Sequence, residues 1–572
     1  MASSSTKPPL AEVEEDVRAY EARLRAEMGL GSRAAAHFRR PAERPFTASQ
    51  RAHTTILFGG LTLAHEEIVR IAMDRLGYRL EPLPCPDNES LAVGKEFGNR
   101  GMCNPTYYTV GNLVKHLKRL RAAGETDIED RYVFLTAGGC GPCRFGMYEA
   151  EYRKALADSG FPHFRVILFQ QNEGLSQTGE EAGLVLNKEF FVLLIRAVIA
   201  GDLLNDLGYK IRPYEVSPDD TDRALDRAKQ LAGEALRDGR PLRHALREAG
   251  AFFSSVRVDY TRVKPRVAII GEFWAMTTEG DGSYRLHRWL ESEGAEAVVQ
   301  PVSAWIDYMI FEGLTKIGLR RGLPGSPGLR TILLLHYAKI LFHWHYFVYR
   351  RALGGKPSPL PSQRKLAAYA RPYYDPRLSG GEGHLEVAKH IAAVKHKKAH
   401  MVVSVKPFGC MPSTQSDGVQ SKVISDYPDS IFIPIETSGD AEVNVRSRIQ
   451  MKLFEARQKA REEFDRVLSE EGIAREEFAA YAAAHPDRFG AMVPEPHAGL
   501  AGTAAAFVKA NARAIRGERS VRRAFRRVQD KAHEEEILIK EKIGHAREEA
   551  ADLAGKFAPP RPLSTSGEEG GS

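Results

Sequence analysis

Cysteine is scarce in this sequence, with five among 572 residues. The number is low and odd, and residues 1–20 turn acidic and amphipathic without an apolar signal core. These features argue against a secreted scaffold held by disulfides, and they lead us to expect a cytoplasmic protein. Scarce cysteines in unusual local sequence are more often metal ligands or redox groups, so the search for function starts from them.

Several sequences that would indicate other functions are also missing. Neither a GxGxxG fingerprint nor a Walker sequence occurs, so nucleotide binding by this chain is unsupported. The formal net charge of +7 is small for the length, and no dense basic run is interleaved with aromatic residues. We therefore expect no nucleic-acid partner.

The most apolar segment, TILLLHYAKILFHWHYFV at residues 331–348, is too polar to span a bilayer comfortably. It contains Lys339 and three histidines, and Arg350 and Arg351 follow it directly. Such groups are costly in lipid. We expect a helix buried between domains and no membrane partner, with a helix at the edge of a membrane as the alternative.

The chain alternates between strand-like and helical segments in two stretches. Short runs rich in β-branched and aromatic residues, such as 132–136 and 401–405, are separated by helical patterns. This alternation is typical of α/β units with parallel sheets. The predicted domains are a helical lead-in at 1–50, a first α/β lobe with a CxxC loop and a helical extension at 51–263, a second α/β lobe at 264–455 with a helical insertion at 305–395, a helical region at 456–558, and a disordered tail at 559–572.

Four of the five cysteines occupy one kind of position, a loop that precedes a predicted helix. They are Cys103 in GMCNP, Cys140 and Cys143 in GGCGPCRFG, and Cys410 in KPFGCMP. In an open parallel sheet such loops gather at the carboxyl ends of the strands, where ligands bind. Helix N-termini there favour the thiolate, which is the form that ligates metal. Four thiolates suffice for one iron–sulfur centre.

Cysteine spacing alone leaves other interpretations open. It does not separate an iron–sulfur cluster from structural zinc, and the four cysteines could instead be small residues of the core. The CGPC string at 140–143 is also the redox sequence of thioredoxins, which would predict a thiol–disulfide enzyme but leaves Cys103 and Cys410 unexplained. Cys85, in LPCPD, has no predicted helix directly behind it and is interpreted as a bystander.

With these loops in view, the chain resembles the iron–sulfur proteins related to 2-hydroxyacyl-CoA dehydratases. More closely, it is similar to the C-terminal part of the large activator-associated proteins of that superfamily. The resemblance lies within about residues 54–455 and rests on GNRGMCNP at 98–105, GCGPCRFGMY at 139–148, GEFW at 271–274 with EGDG at 279–282, PFGCMP at 407–412, and PIETSGD at 434–440.

The resemblance implies two Rossmann-like, doubly wound, mostly parallel lobes with a cluster between them, held by Cys103, Cys140, Cys143 and Cys410. In characterised relatives, a separate ATPase of the actin-like class drives one electron at very low potential onto the cluster. The cluster then reduces a bound substrate, which is a CoA thioester in the dehydratases. The phosphate loops of that ATPase are not visible here, so we expect it as a partner chain. The cysteines are fewer than a double-cubane cluster uses, so we expect a single cluster, most simply 4Fe–4S.

Three further residues are candidates for catalytic roles. Arg144 follows the CxxC and could stabilise thiolates or an anionic substrate, although a surface ion pair is equally ordinary for it. Glu272 leaves the first strand of the second lobe, where it could act as an acid or base or simply cap a helix. Glu436, at the end of the last predicted strand, could bind substrate or orient the Cys410 loop.

The sequence thus predicts an iron–sulfur reductase or dehydratase-like enzyme that receives electrons from a separate ATP-dependent activator. Its substrate is expected to be a small molecule and, by resemblance, an acyl-CoA. The alternatives are a non-catalytic electron-transfer subunit, a thiol–disulfide oxidoreductase that uses Cys140 and Cys143, and a zinc-stabilised binding protein. A homo- or hetero-oligomer is compatible with each.

Overall fold

The computed structural model describes residues 10–28, 44–139, 143–170, 174–175, 182–324, 326–378, 381–496 and 498–556. The predicted tail at 559–572 and one predicted ligand, Cys140, lie outside these residues. The chain divides into two compact units, Met1–Pro45 and Phe46–Ser572. The first contains one charged helix, α1 (Leu10–Glu27), where the sequence predicts it. The second contains both sheets.

The first lobe is built on a sheet of four parallel strands with a two-residue antiparallel strand at one edge. Its strands are β1 (Thr55–Phe58), β2 (Arg79–Pro82), β3 (Tyr132–Gly138), β4 (Arg165–Gln170) and β5 (Gly174–Leu175), in the order β2-β1-β3-β4-β5. The helices among them are α2 (Leu63–Met73), α3 (Asn88–Phe97), α4 (Asn104–Ala122), α5 (Ile128–Arg131) and α6 (Tyr148–Asp158). The predicted helical extension consists of α7 (Lys188–Ile211), α8 (Asp220–Arg237) and α9 (Leu242–Ser254).

The second lobe has four parallel strands in the order β7-β6-β8-β9. They are β6 (Arg266–Gly271), β7 (Glu296–Val299), β8 (Met401–Pro407) and β9 (Ile431–Thr437). The helices of this lobe and of its insertion are α10 (Phe273–Thr277), α11 (Leu286–Ser292), α12 (Val302–Leu319), α13 (Leu329–Ala352), α14 (Gln363–Ala370), α15 (Leu385–Lys395), α16 (Met411–Asp426) and α17 (Glu442–Glu471). The C-terminal helices are α18 (Arg475–Ala484), α19 (Pro486–Phe489) and α20 (Thr503–Lys556).

The parallel strands have the same spatial order in both sheets. If the strands of each lobe are numbered along the chain, this order is 2-1-3-4. In a doubly wound sheet of this order the connections reverse direction between the first and third strands, which opens a crevice at the carboxyl ends of the strands. These switch points lie between β1 and β3 and between β6 and β8. The predicted α/β class, with two Rossmann-like lobes and a helical C-terminal extension, is confirmed.

The strands form where the sequence has continuous apolar runs, because helices cover both faces of each sheet. In β8 all seven residues are buried. Helix α8 is amphipathic instead of continuously apolar. Its apolar residues recur every three or four positions and form one face of the helix, which packs against α2 and α9. Helix α17 ends at Gly472, which adopts a left-handed conformation with φ of 60° and separates it from α18.

The two lobes are joined by a buried carboxylate as well as by apolar packing. Asp202 on α7 accepts hydrogen bonds from the backbone N–H groups of Val302 and Ser303, at 2.7 and 2.6 Å, at the start of α12. The same carboxylate lies 3.2 Å from Nε2 of the buried His65 on α2. Asp202 therefore satisfies helix-terminal donors of the second lobe from within the first.

The expectation that residues 331–348 form a helix buried between domains is wrong for most of α13. Only Phe342, Tyr346 and Tyr349 of this helix are buried, in the core of the first lobe, because they share one face near its C-terminal end. The opposite face is exposed along its length. Among the described residues, no helix combines the length and the apolar character that crossing a bilayer requires.

Candidate functional site

The two switch points face one crevice, and loops from both lobes are in contact there. The backbone N–H of Asn104, the first residue of α4, donates to the carbonyl of Phe408, which follows β8, at 3.2 Å. The Asn104 side chain donates through Nδ2 to the carbonyl of Thr437 at the end of β9, at 2.5 Å. The loop before α4 is therefore fixed directly against the carboxyl ends of the second sheet.

Cys103 is buried at the position that immediately precedes α4, and Pro105 occupies the first turn of the helix. Proline is favoured there because the first helical N–H groups have no partner within the helix. The Cys103 Sγ atom lies 3.3 Å from Oγ1 of Thr106 and 3.2 Å from the hydroxyl of Tyr148. The thiol thus faces α6, which follows the CxxC loop. The helix begins directly after the cysteine, at Asn104.

Cys143 follows β3 and precedes a short 3₁₀ turn, Arg144–Met147, that leads into α6. It is half-buried, and burial raises the pKa of its thiol to about 12. The guanidinium of Arg144 donates to the carbonyl of Gly101 in the Cys103 loop. Arg144 therefore connects two cysteine loops instead of pairing with a surface carboxylate.

Cys410 follows β8 and immediately precedes α16, which also has proline in its first turn. The residue before it, Gly409, has φ of +78°, a conformation that other residues rarely adopt. A Cβ atom on Gly409 would lie 3.3 Å from Nη1 of Arg144 and 3.6 Å from Cα of Cys103. The backbone beside Cys410 thus approaches both of the other cysteine loops at a position where no side chain interferes.

Two carboxyl groups lie beside these loops, the buried Glu382 and the half-buried Glu272. Glu272 caps α10 by accepting the N–H of Ala275 at 2.8 Å, and Glu382 accepts the N–H of Phe273 at 2.8 Å. Burial raises the pKa of both carboxyl groups, and the charge of Glu272 raises that of Glu382 further. Both carboxyl groups also raise the pKa of the Cys143 and Cys410 thiols, behind the larger effect of burial.

Of this pair, the sequence predicted Glu272 and missed Glu382. The available signal was the string GGEGH at 380–384, in which glycines flank a lone carboxylate directly before a helix. Gly381 and Gly383 both have positive φ, and a Cβ at Gly381 would contact Pro412 of the Cys410 loop. The insertion therefore supplies part of the crevice and does not only cover the sheet.

Glu436 is placed differently from the other candidates. Its side chain is exposed on β9, where it is in register with Lys406 on β8. Burial lowers the pKa of Lys406, and the charges of Glu436 and Cys410 act in the opposite direction. The described contacts thus associate Glu436 with the strand pair that leads to Cys410.

Cys85 lines a cavity of about 40 Å³ between the lobes, together with two carboxyl groups. A helix begins three residues after it, at Asn88, because Asp87 caps α3. Burial raises the pKa of Cys85 to about 11. Glu279, from the second lobe, accepts the N–H of Leu63 in the first lobe at 2.7 Å.

The other carboxyl group of the cavity belongs to Glu66, which is not among the residues predicted from the sequence. Its Oε1 atom accepts the N–H groups of Gly60 and Leu61, at 2.9 and 3.1 Å. Burial nevertheless raises its pKa to about 8. Glu66 is one of two consecutive glutamates on α2, and only its buried position distinguishes it from Glu67, which bonds Arg70 at the surface.

Residues that contact the Cys103 sulfur lie about one helical turn from residues that line this cavity, on two different helices. On α4, Thr106 contacts the Cys103 sulfur and Thr109 lines the cavity. On α6, Tyr148 contacts the same sulfur and Tyr152 lines the cavity. One turn of helix spans about 5.4 Å, so the thiol and the cavity are near neighbours.

The cysteine loops fit an iron–sulfur cluster in donor chemistry and in position, since each described cysteine precedes a helix at the same crevice. Two further observations describe the site. In the described part of the chain, which lacks Cys140, no three histidine, cysteine, aspartate or glutamate side chains are close enough together to hold a metal ion. The buried thiols also lie beside carboxyl groups, so they require a cationic centre to ionise.

Comparison with known proteins does not assign a family or a function to this chain. No family model matches the chain, and no curated protein sequence matches it.

Proposed function

We propose that this chain is an iron–sulfur protein related to the 2-hydroxyacyl-CoA dehydratase components, with Cys103, Cys140, Cys143 and Cys410 as the cluster ligands. The observation that carries the proposal is the contact between loops that are far apart in sequence. The Cys103 loop bonds the residue that follows β8, and Gly409 lies against both Cys103 and Arg144. Three cysteine-bearing loops in one crevice are more than structural packing requires.

A single cluster of the 4Fe–4S type, when bound, supplies single electrons at low potential. The residues of this chain would hold it in a site that excludes water. Cys103 is buried, Arg144 offers a positive charge between two of the loops, and Glu382 holds a proton beside the cysteines at neutral pH. Cationic and proton-donating groups of this kind favour addition of negative charge to a site.

The electrons would come from a separate ATP-dependent activator of the actin-like ATPase class, because this chain contains no phosphate-binding loop sequence. The substrate would be a small molecule, and the family resemblance suggests an acyl-CoA. Its reacting group would enter the cavity next to Cys103. Glu66 is protonated there at neutral pH and can donate a hydrogen bond or a proton to a substrate oxygen.

The test is metal and sulfide analysis of protein prepared without oxygen. We expect a brown protein with about four iron atoms and four sulfides per chain, and an EPR signal after reduction with dithionite. Stoichiometric zinc without sulfide would establish the zinc-stabilised protein instead. Neither metal, together with a dithiol that cycles between oxidised and reduced forms, would establish a thiol–disulfide enzyme.

One observation favours a second candidate, a non-catalytic electron-transfer subunit. The cavity of about 40 Å³ is far smaller than the 300–1,000 Å³ that is roughly usual for small-molecule sites. Turnover of acyl-CoA substrates with a reducing activator separates the two candidates. A cluster that is reduced and reoxidised by protein partners, without substrate turnover, would identify the subunit.

A further inference from the structure

Helix α13 exposes a continuous apolar surface, which we call the α13 stripe. Its central residues are Leu333, Tyr337, Ile340, Trp344 and Phe347, and their exposed fractions lie between 52% and 69%. Leu329, Leu334 and Leu341 extend it on the same side. At about 100° per residue these eight positions cover about 140° of the helix circumference. Exposed apolar surface on this scale marks an interaction site.

The opposite side of α13 is buried near the C-terminal end of the helix. Phe342, Tyr346 and Tyr349 pack into the core of the first lobe, where α13 meets α7 and α9. The helix is thus apolar on two sides, one buried and one exposed. A helix that is apolar on every side belongs in a protein core or in lipid. The α13 stripe therefore needs a cover that the described part of the chain does not supply.

The apolar surface continues around the end of the hairpin that α12 and α13 form. Leu319 and Leu323 are exposed there, next to Arg320 and Arg321, which are also exposed. Arg330 follows at the start of α13. Aliphatic side chains and arginines thus lie together at the turn between α12 and α13. This turn is the part of the hairpin that is farthest in sequence from the buried residues of α13.

Charge restricts what can cover this surface. Residues 313–374 contain eleven lysines and arginines and no aspartate or glutamate. A second copy of the chain would bring the same cations together in either orientation of the paired helices, since Arg330 would face Arg351 or Arg330 of the other copy. Like charges in such positions oppose association. The cover must therefore carry negative charge.

We propose that the α12–α13 hairpin binds the surface of a membrane that contains anionic lipids. The α13 stripe would lie among the acyl-chain ends of the headgroup region, and the hairpin arginines would meet lipid phosphates. An acidic protein helix is a less suitable cover, because a seam between two helices is narrower than this stripe. The exposure of α13 removes the reason for expecting no membrane partner, since that expectation rested on a buried helix.

The test is flotation of the full-length protein with vesicles of phosphatidylcholine containing phosphatidylglycerol. We expect binding that weakens with salt and with the removal of phosphatidylglycerol. Trp344 is the most exposed of the tryptophans, so its emission should shift to shorter wavelength on binding and be quenched by brominated lipid. No binding to anionic vesicles at low salt would overturn the proposal.

Two variants and a matched control make this test specific. Ile340→Glu and Arg320→Gln/Arg321→Gln should each weaken vesicle binding roughly tenfold or more. Met451→Glu changes a residue of similar exposure, 65%, on α17 and should bind as the unchanged protein does. Equal loss in Met451→Glu would overturn the proposal. The proposal would also be overturned if vesicle binding were absent and Ile340→Glu disrupted a protein dimer or a complex with an acidic protein.

Discussion

At the scale of single residues, Glu66 combines two opposing effects. Two backbone N–H groups stabilise its charged form, yet burial outweighs them and raises its pKa from 4.5 to about 8. A carboxyl group whose pKa rises on folding binds its proton more tightly in the folded state. Its contribution to stability is therefore complete below pH 4.5 and is lost as the pH rises towards 8.

Glu66→Gln should remove this dependence. The glutamine amide retains an acceptor oxygen for Gly60 and Leu61 but does not titrate. We expect the free energy of unfolding of the variant to fall less steeply between pH 5 and pH 8 than that of the unchanged protein, by a few kcal/mol over the whole interval. Chemical denaturation across this pH range measures the difference.

Glu67→Gln is the matched control, because the neighbouring carboxylate bonds Arg70 at the surface and its pKa is lowered instead. The free energy of unfolding of this variant should decline between pH 5 and pH 8 as steeply as that of the unchanged protein. Equal slopes for Glu66→Gln and the unchanged protein would show that Glu66 ionises normally in the folded state.

Gly409 supports a second prediction at this scale. Gly409→Ala places a Cβ against Arg144 and Cys103 in a left-handed conformation, at a cost of about 1–2 kcal/mol, and should lower the iron content of anaerobically prepared protein. Gly418→Ala, at an exposed position of α16 with open space around it, should instead stabilise the protein by up to about 1 kcal/mol without loss of iron. Iron content that is equal in both variants would contradict the role given to Gly409.

The residues that the sequence could and could not predict differ in a physical respect. Cys103, Cys143 and Cys410 were identifiable because their type and their glycine- and proline-rich surroundings are local properties. Glu66 and Glu382 were not, because their altered pKa values arise from burial by distant segments. A glutamate in a helix or beside glycines is ordinary in sequence, and only packing makes it unusual.

At the scale of elements, the N-terminus of α4 joins the cysteine loops across the crevice. Asn104→Ala removes the hydrogen bond to Thr437 and should lower the free energy of unfolding by about 1–2 kcal/mol, measured by chemical denaturation. Because the Cys103 loop then loses a tether to the second sheet, the iron content should fall as well.

Asn511→Ala separates these two effects. Asn511 is a buried residue of α20 that donates to the Phe507 carbonyl at 2.9 Å within the helix. Its replacement should reduce stability to a similar extent but leave the iron content unchanged. A parallel loss of iron in both variants would mean that general destabilisation, and not the α4 tether, releases the metal.

The elements themselves were predicted with uneven success for physical reasons. Strands such as β6 and β8 were found because continuous apolar runs of β-branched residues have few alternatives in a parallel sheet. The environment of α13 was misjudged because an apolar helix has the same sequence whether a protein core, a partner or lipid covers it. The start of α4 depends on local sequence, because Pro105 is favoured in the first turn of a helix.

At the scale of the whole molecule, both lobes belong to one compact unit, Phe46–Ser572. The core of the first lobe contains residues from α13, and Asp202 bonds the start of α12. We therefore expect a single cooperative transition when unfolding is followed by calorimetry. Two well-separated transitions would contradict this, since they would require lobes that unfold independently.

Asp202→Ala tests the joint between the lobes. It leaves the N–H groups of Val302 and Ser303 and the buried His65 without their shared partner, so it should cost about 3–5 kcal/mol. Asp226→Ala changes an exposed residue of α8 that pairs with Lys229, and its effect should stay within about 0.5 kcal/mol. Equal unfolding temperatures for the two variants would show that the Asp202 network does not hold the lobes together.

The central claim is that cysteines from both lobes hold one iron–sulfur cluster, and iron and sulfide content in Cys410→Ser tests it most directly. Cys410 is the only proposed ligand from the second lobe, and Cys85→Ser provides a matched control because Cys85 lines the neighbouring cavity without being a proposed ligand. After anaerobic preparation, with folding checked by circular dichroism, we predict that Cys410→Ser loses most of its iron and sulfide and that Cys85→Ser keeps both. Unchanged iron and sulfide in folded Cys410→Ser would contradict the account.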